Sequence, residues 1–190
     1  MVLTDREIQS AIASGQIIID PRPDEFLAYN STSVDLTLSK FLQEWQMMPL
    51  AKGVEQTVSP ADPDYQYSEF AKKYSKERQI RSTGYVIEPH TFVLGETKES
   101  IQLPTTSHLA ARVEGKSSLA RLGIGIHVTA PTIHAGFIGT IKLEICNHGP
   151  LKVKLLSGMR VCQLIFEQTL GTAEKGYTGQ FQYQGMKRKH

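Results

Sequence analysis

The stretch Glu114–Gly123, EGKSSLARLG, sets a lysine, two serines and an arginine between two glycines. Gly115 permits close backbone approach, Lys116 and Arg121 carry charge, and the hydroxyls and amides of Ser117 and Ser118 can donate to an oxyanion. That is phosphate-binding chemistry. A second candidate is Glu144 in GTIKLEICN, where Ile141, Leu143 and Ile145 alternate with Thr140, Lys142, Glu144 and Cys146. A carboxylate in such a run normally faces solvent. Facing a cleft instead, it would be partly desolvated, its pKa would rise, and it would suit general acid–base work. The residues alone leave both readings open.

Other chemistries lack their residues. A nucleotide P-loop needs a glycine five positions before its GK pair, and Ala110 stands there. The histidines at 90, 108, 127, 134, 148 and 190 form no HxxxH or HExxH pair. The zinc-deaminase pattern, H-x-E followed by P-C-x-x-C, is also missing. Hydrolysis by this chain would therefore run without a protein-bound zinc. Composition alone favours a solvated turn for EGKSSLARLG.

The elements that must position these residues are mainly strands. From Tyr85 onward, β-rich runs recur roughly every ten residues between Pro or Gly, the signature of a sandwich or barrel. Upstream, Thr4 and Glu7 predict a capping box, Leu3 and Ile8 a staple across it, and Gly15 a stop, so the chain opens on a helix. Ile17–Ile19 reads as a short strand. In 33–39, Val34, Leu36 and Leu38 alternate with Ser33, Asp35, Thr37 and Ser39, which predicts a half-buried strand. Residues 40–84 read as an excursion from the core, broken by Pro60 and Pro63, with YSEFAKKYSKERQI as a short surface helix. Residues 172–190 read as an arm closing on the site, and 1–190 as one domain.

The totals set bounds. At 190 residues, 40% hydrophobic and 21% charged, the chain reads as a globular domain with a real core. A net charge of +2 is too mild to argue for a nucleic acid polymer, and the basic tail Met186–His190 reads as a frayed end. Cys146 and Cys162 sit alone in apolar runs, outside any CxxC, and read as buried small hydrophobes. MVLTDREIQSAI is not a signal peptide, and no apolar run approaches a membrane span, so a cytoplasmic protein is expected.

In order, RVEGKSSLARLGIGIHVTA, APTIHAGFIGTIKLEICN and GMRVCQLIF resemble the dCTP deaminase family of the dUTPase-like superfamily. STSVDLTLS and YVIEPHTFVLGETKESIQLP extend the likeness more weakly, and about residues 40–80 fall outside it. The resemblance implies a distorted double-sheet (jelly-roll or β-clip) fold, assembled as a homotrimer with sites at subunit interfaces. It implies hydrolysis of dCTP to dUTP and ammonia, with Mg2+ carried by the triphosphate, and dTTP as a feedback inhibitor. By the same resemblance Glu144 is the general acid/base, with Ser117 and Arg121 holding the water and the glutamate. Lys116, Ser117, Ser118, Leu119 and Ala120 then hold the triphosphate, Arg121 is also a substrate contact, and Thr129 and Ala130 shape the base and water site. His134, Lys142, Leu143, Tyr177, Gln180 and Gln184 complete the substrate contacts.

Four features separate this chain from its wider kin. The Glu144 carboxylate and the ending YTGQFQYQG, in place of a glycine-rich arm, favour deaminase over plain dUTPase. The motif that often reads I-D-x-G-F/Y is here Ile133-His134-Ala135-Gly136-Phe137. In dUTPases and bifunctional deaminases that aspartate serves the sugar and the hydrolytic water, so His134 argues against a coupled dUTP diphosphatase, the alternative activity. Gln180-Phe181-Gln182 replaces a KYQ-like element, which removes one cation from the triphosphate contacts. A non-catalytic nucleotide-binding trimer is the third reading.

Overall fold

The computed structural model describes residues 1–46 and 57–179. Helix α1 (Asp5–Ala13) begins at the expected capping box, with Thr4 and Glu7 bonded reciprocally, and ends at Ser14 with Gly15 at φ 75°. Its inward residues Ile8 and Ala11 are buried. Strands β1 (Ile18–Asp20), β2 (Tyr29–Asn30), β3 (Ser33–Thr37) and β4 (Phe41–Trp45) follow. Helix α2 (Tyr67–Tyr74) runs into β5 (Ser75–Gln79), and then come β6 (Tyr85–Ile87) and the long β7 (Phe92–Gln102). Next are β8 (Leu109–Gly115), the single turn α3 (Ser117–Ala120), β9 (Ile124–Gly125) and β10 (Thr132–Ile133). The last are β11 (Ile138–Asn147), β12 (Val153–Leu155) and β13 (Arg160–Gln168).

These strands make two large antiparallel sheets and one two-stranded pair. One runs β5-β4-β7-β11-β9 with β1 also on β7, the other β10-β8-β13-β3-β2, and β12 pairs with β6 alone. Their facing sides supply the core: Leu143, Ile145 and Ile101 from the first, Leu36, Leu164 and Phe166 from the second, all fully buried. Burying each such side chain stabilises by about 1.5–3 kcal/mol. The mainly β, double-sheet class is the expected one. No described helix is long and apolar enough to cross a membrane.

Three expectations need correction. In β3, Ser33 and Asp35 are not solvent-facing: both are buried, because β3 is covered on both faces. Ser33 Oγ donates to Gln163 at 2.9 Å, and Asp35 takes Lys116 Nζ at 2.5 Å and Asn30 Nδ2 at 3.1 Å, so their burial is compensated. Second, YSEFAKKYSKERQI is not one helix. It is helical only to Tyr74, and Ser75–Gln79 forms a strand on β4, where edge pairing overrides the helical preference of its charged residues. Third, the 40–84 excursion is tied to the core. Gln43 pairs with Leu94, so β4 and β5 extend the same sheet that carries Glu144.

Candidate active site

β11 alternates as the sequence predicts. Ile141, Leu143 and Ile145 are buried, while Lys142, Glu144 and Cys146 stand half-buried on the other face. Cys146 is thus less buried than a core thiol, unlike Cys162. A register shift between Thr140 and Lys142 interrupts the ladder to β7, and Thr97 Oγ1 accepts the Ile141 amide there at 3.0 Å. Such bulges re-aim neighbouring side chains. Beyond the bulge, Lys142 faces Glu96 across the strands and holds it at 2.8 Å, which compensates that buried carboxylate. Glu144 lies opposite Leu94 and accepts the backbone amide of Val128 at 3.3 Å.

Glu144 opens on a cavity of about 470 Å³. Of the residues singled out from sequence, Ala130, His134, Lys142, Glu144 and Tyr177 line it. Tyr177 belongs to the arm after β13. Its ring lies 6.0 Å from that of His134 at an interplanar angle of 15°, and 5.6 Å from Phe137. Its amide donates to Ala135 O at 2.9 Å. Gly136 makes this crossing possible: its φ is 88°, and a Cβ there would stand 2.7 Å from the Tyr177 nitrogen.

EGKSSLARLG forms the end of β8, the α3 turn and the chain beyond it. A separate cavity of about 430 Å³ is lined by Lys116, Ser117, Ser118 and Ala120, together with Asn30, Glu114 and Gln163. Lys116 is not a free cation, since Asp35 binds it from below. Leu119 and Leu143 are buried, and neither lines either cavity. The chain turns back at Gly123, where a Cβ would come within 2.3 Å of Gly149 N.

Arg121 and Thr129 are exposed. Among the described residues, no hydrogen bond or ion pair joins Arg121 or Ser117 to Glu144, so the expected orienting contact is not made within one chain. Gln180 and Gln184 lie outside the described residues. Sequence reasoning missed Trp45, Tyr67, Phe92 and Phe137, which give the Glu144 cavity its aromatic walls. FLQEW does not alternate, and nothing local in the sequence brings Trp45 or Tyr67 there.

The chain matches the family model described as dCTP deaminase-like over residues 2–169. It is 37% identical over 176 residues, 93% of this chain and 83% of the relative, to a protein of Methanothermobacter thermautotrophicus named dCTP deaminase, dUMP-forming. It is 38% identical over 179 residues, 93% of this chain and 88% of the relative, to one of Marinomonas sp. named dCTP deaminase. In fold it resembles the 2′-deoxycytidine 5′-triphosphate deaminase of Agrobacterium tumefaciens, with a TM-score of 0.66 and 21% identity. That overlay takes in 88% of this chain and 48% of the other.

Proposed function

The chain belongs to the dCTP deaminase-like family, and from that membership and the Glu144 cavity we propose that it hydrolyses dCTP to dUTP and ammonia. The observation that carries the reading is Glu144 itself, a carboxylate held by one backbone amide and opening on an aromatic-walled cavity suited to a flat base. In this reaction Glu144 takes a proton from water as the oxygen attacks C4 of cytosine. It passes that proton to N3, then takes the proton of the new C4 hydroxyl and gives it to the 4-amino nitrogen, so the C4–N bond breaks and ammonia leaves with C4 as a carbonyl. One carboxylate can serve each transfer in turn, for roughly 10²–10⁴-fold; positioning and preorganised dipoles must supply the rest.

Lys116, Ser117, Ser118 and Ala120 are the triphosphate's partners in this reading, with Mg2+ arriving on the nucleotide. Ser117 and Arg121 hold the water and Glu144; Thr129, Ala130 and His134 shape the base and sugar site; Tyr177, Gln180 and Gln184 close over it from the arm. Ser117 and Glu144 open on different cavities of one chain, which supports a homotrimer whose site joins the Ser117 cavity of one copy to the Glu144 cavity of the next. dTTP would compete there as a feedback inhibitor. The whole 1–190 chain acts as one catalytic domain in the cytoplasm.

Relatives named dUMP-forming favour a second reading, in which dUTP is cleaved further to dUMP and pyrophosphate. His134 at the expected aspartate position opposes it. Incubation with dCTP, CTP, dCMP and dUTP in Mg2+, with products identified by mass, decides between them. Accumulated dUTP supports deamination alone, pyrophosphate supports the coupled reaction, and unchanged dCTP overturns both.

A further inference from the structure

Resting on the deaminase reading, we propose that Trp45 and Tyr67, brought in by the 40–84 segment, are specificity-determining residues that wall the Glu144 cavity against the pyrimidine ring. The register of the sheet carries the inference. Gln43 pairs with Leu94, and Leu94 pairs with Glu144, so the three residues form one row across β4, β7 and β11. Trp45 stands two residues beyond Gln43 and Phe92 two before Leu94, so the antiparallel register places both one row away on the face that bears Glu144. Both line the Glu144 cavity, as does Tyr67 at the first turn of α2.

Trp45 is held in place. Its ring meets Tyr67 edge-on at 6.2 Å and Phe70 at 5.6 Å, and Phe70 packs on Tyr74 at 4.5 Å. This aromatic ladder seats α2 on the end of β4, yet Trp45 stays 37% exposed at the cavity. A core cluster would bury that indole. An aromatic face left partly open beside a carboxylate suits a planar base, which can stack while Glu144 reaches its edge. Tyr67 is close enough to Glu144 to feel its charge: the phenol's pKa is raised by burial first, then by the charges of Tyr65 and Glu144.

Trp45 is the chain's only tryptophan, so its fluorescence reports on the wall directly. The full-length Glu144→Gln protein, expected to turn substrate over far more slowly, is titrated with dCTP and with 2′-deoxyribose 5′-triphosphate, which lacks the base. A saturable change with dCTP and none with the abasic triphosphate supports the inference. An equal change with both, or no change while calorimetry registers dCTP binding, overturns it. In turnover, Trp45→Ala raises KM for dCTP by roughly 5–150-fold, the range of base stacking, with a smaller effect on kcat. Tyr67→Ala does likewise, while Tyr67→Phe, which keeps the ring, restores KM; an unchanged KM in both alanine variants overturns the wall. If the wild-type chain releases no ammonia from dCTP, the deaminase reading itself fails and the inference falls with it.

Discussion

Val128 gives its backbone amide to Oε2 of Glu144 at 3.3 Å, and this is the one hydrogen bond the carboxylate makes among the described residues. A bond at that length restrains the group without committing its lone pairs. Glutamine at 144 keeps the shape and can still accept from Val128, but it cannot take a proton from water. Glu144→Gln is expected to lower ammonia release by at least about 10²–10⁴-fold, the share that general acid–base catalysis supplies. Binding of dCTP, measured by calorimetry, should stay within a few-fold. Full turnover by this variant would remove Glu144 from the mechanism.

Lys116 is bound by the buried Asp35 and, in the proposed reading, also serves the triphosphate. Asp35 is 4% exposed and also has Asn30 at 3.1 Å and Arg160 at 3.8 Å. Lys116→Ala therefore strips a buried carboxylate of its nearest cation, and unfolding free energy should fall by about 2–3 kcal/mol. KM for dCTP should rise in the same variant. Asp35→Asn tests the split, because it keeps Lys116 and loses stability alone. Urea denaturation and steady-state kinetics on both variants give the four numbers; a Lys116→Ala protein as stable as wild type would show that the pair is not structural.

The thiols report on Glu144 independently of catalysis. The Cys146 pKa is raised by burial first and by the Glu144 charge second, whereas Cys162 is raised further by complete burial, with the Glu99 and Asp35 charges adding to it. A raised thiol pKa means less thiolate, so at mildly alkaline pH iodoacetamide should modify Cys146 first and leave Cys162 untouched until unfolding. Glu144→Gln removes the negative charge and lowers the Cys146 pKa. Its alkylation should accelerate, though burial, the larger cause, still holds the thiol back. An unchanged or slower rate would mean that the carboxylate does not act on that face of β11.

Much of this architecture is legible in the sequence. The Thr4–Glu7 box, the alternation through Ile141–Cys146 and the order of strands after Tyr85 follow from local patterning, and each forms. What local patterning misreads is decided by distant partners. Asp35 looks solvent-facing by alternation, yet it is buried, and Lys116, far along the chain, compensates its charge. Ser75–Gln79 looks helical and becomes a strand because β4 offers an open edge. Tyr67 reaches the Glu144 cavity only because β4 joins β7, a pairing no short window contains. The roles of Ser117 and Arg121 came from resemblance, and within one chain no contact with Glu144 expresses them.

That separation makes subunit complementation the sharpest test of a shared site. Glu144→Gln and Arg121→Ala proteins are each expected to be nearly inactive alone. In a cyclic trimer, heterologous interfaces set the Glu144 side of one copy against the Arg121 side of the next. If the two proteins are unfolded together and refolded in equal amounts, a site works when its Glu144 comes from an Arg121→Ala subunit and its Arg121 from a Glu144→Gln subunit. Random mixing gives each condition a chance of one half, so about a quarter of wild-type activity should return. A site built within a single subunit predicts none, because every subunit then carries one defect. Sedimentation of the mixture must show trimers, and the regained activity should peak at equal proportions and vanish toward either pure protein. Activity that fails to return from a trimeric mixture would place Arg121 and Glu144 in the same subunit's site or take Arg121 out of it.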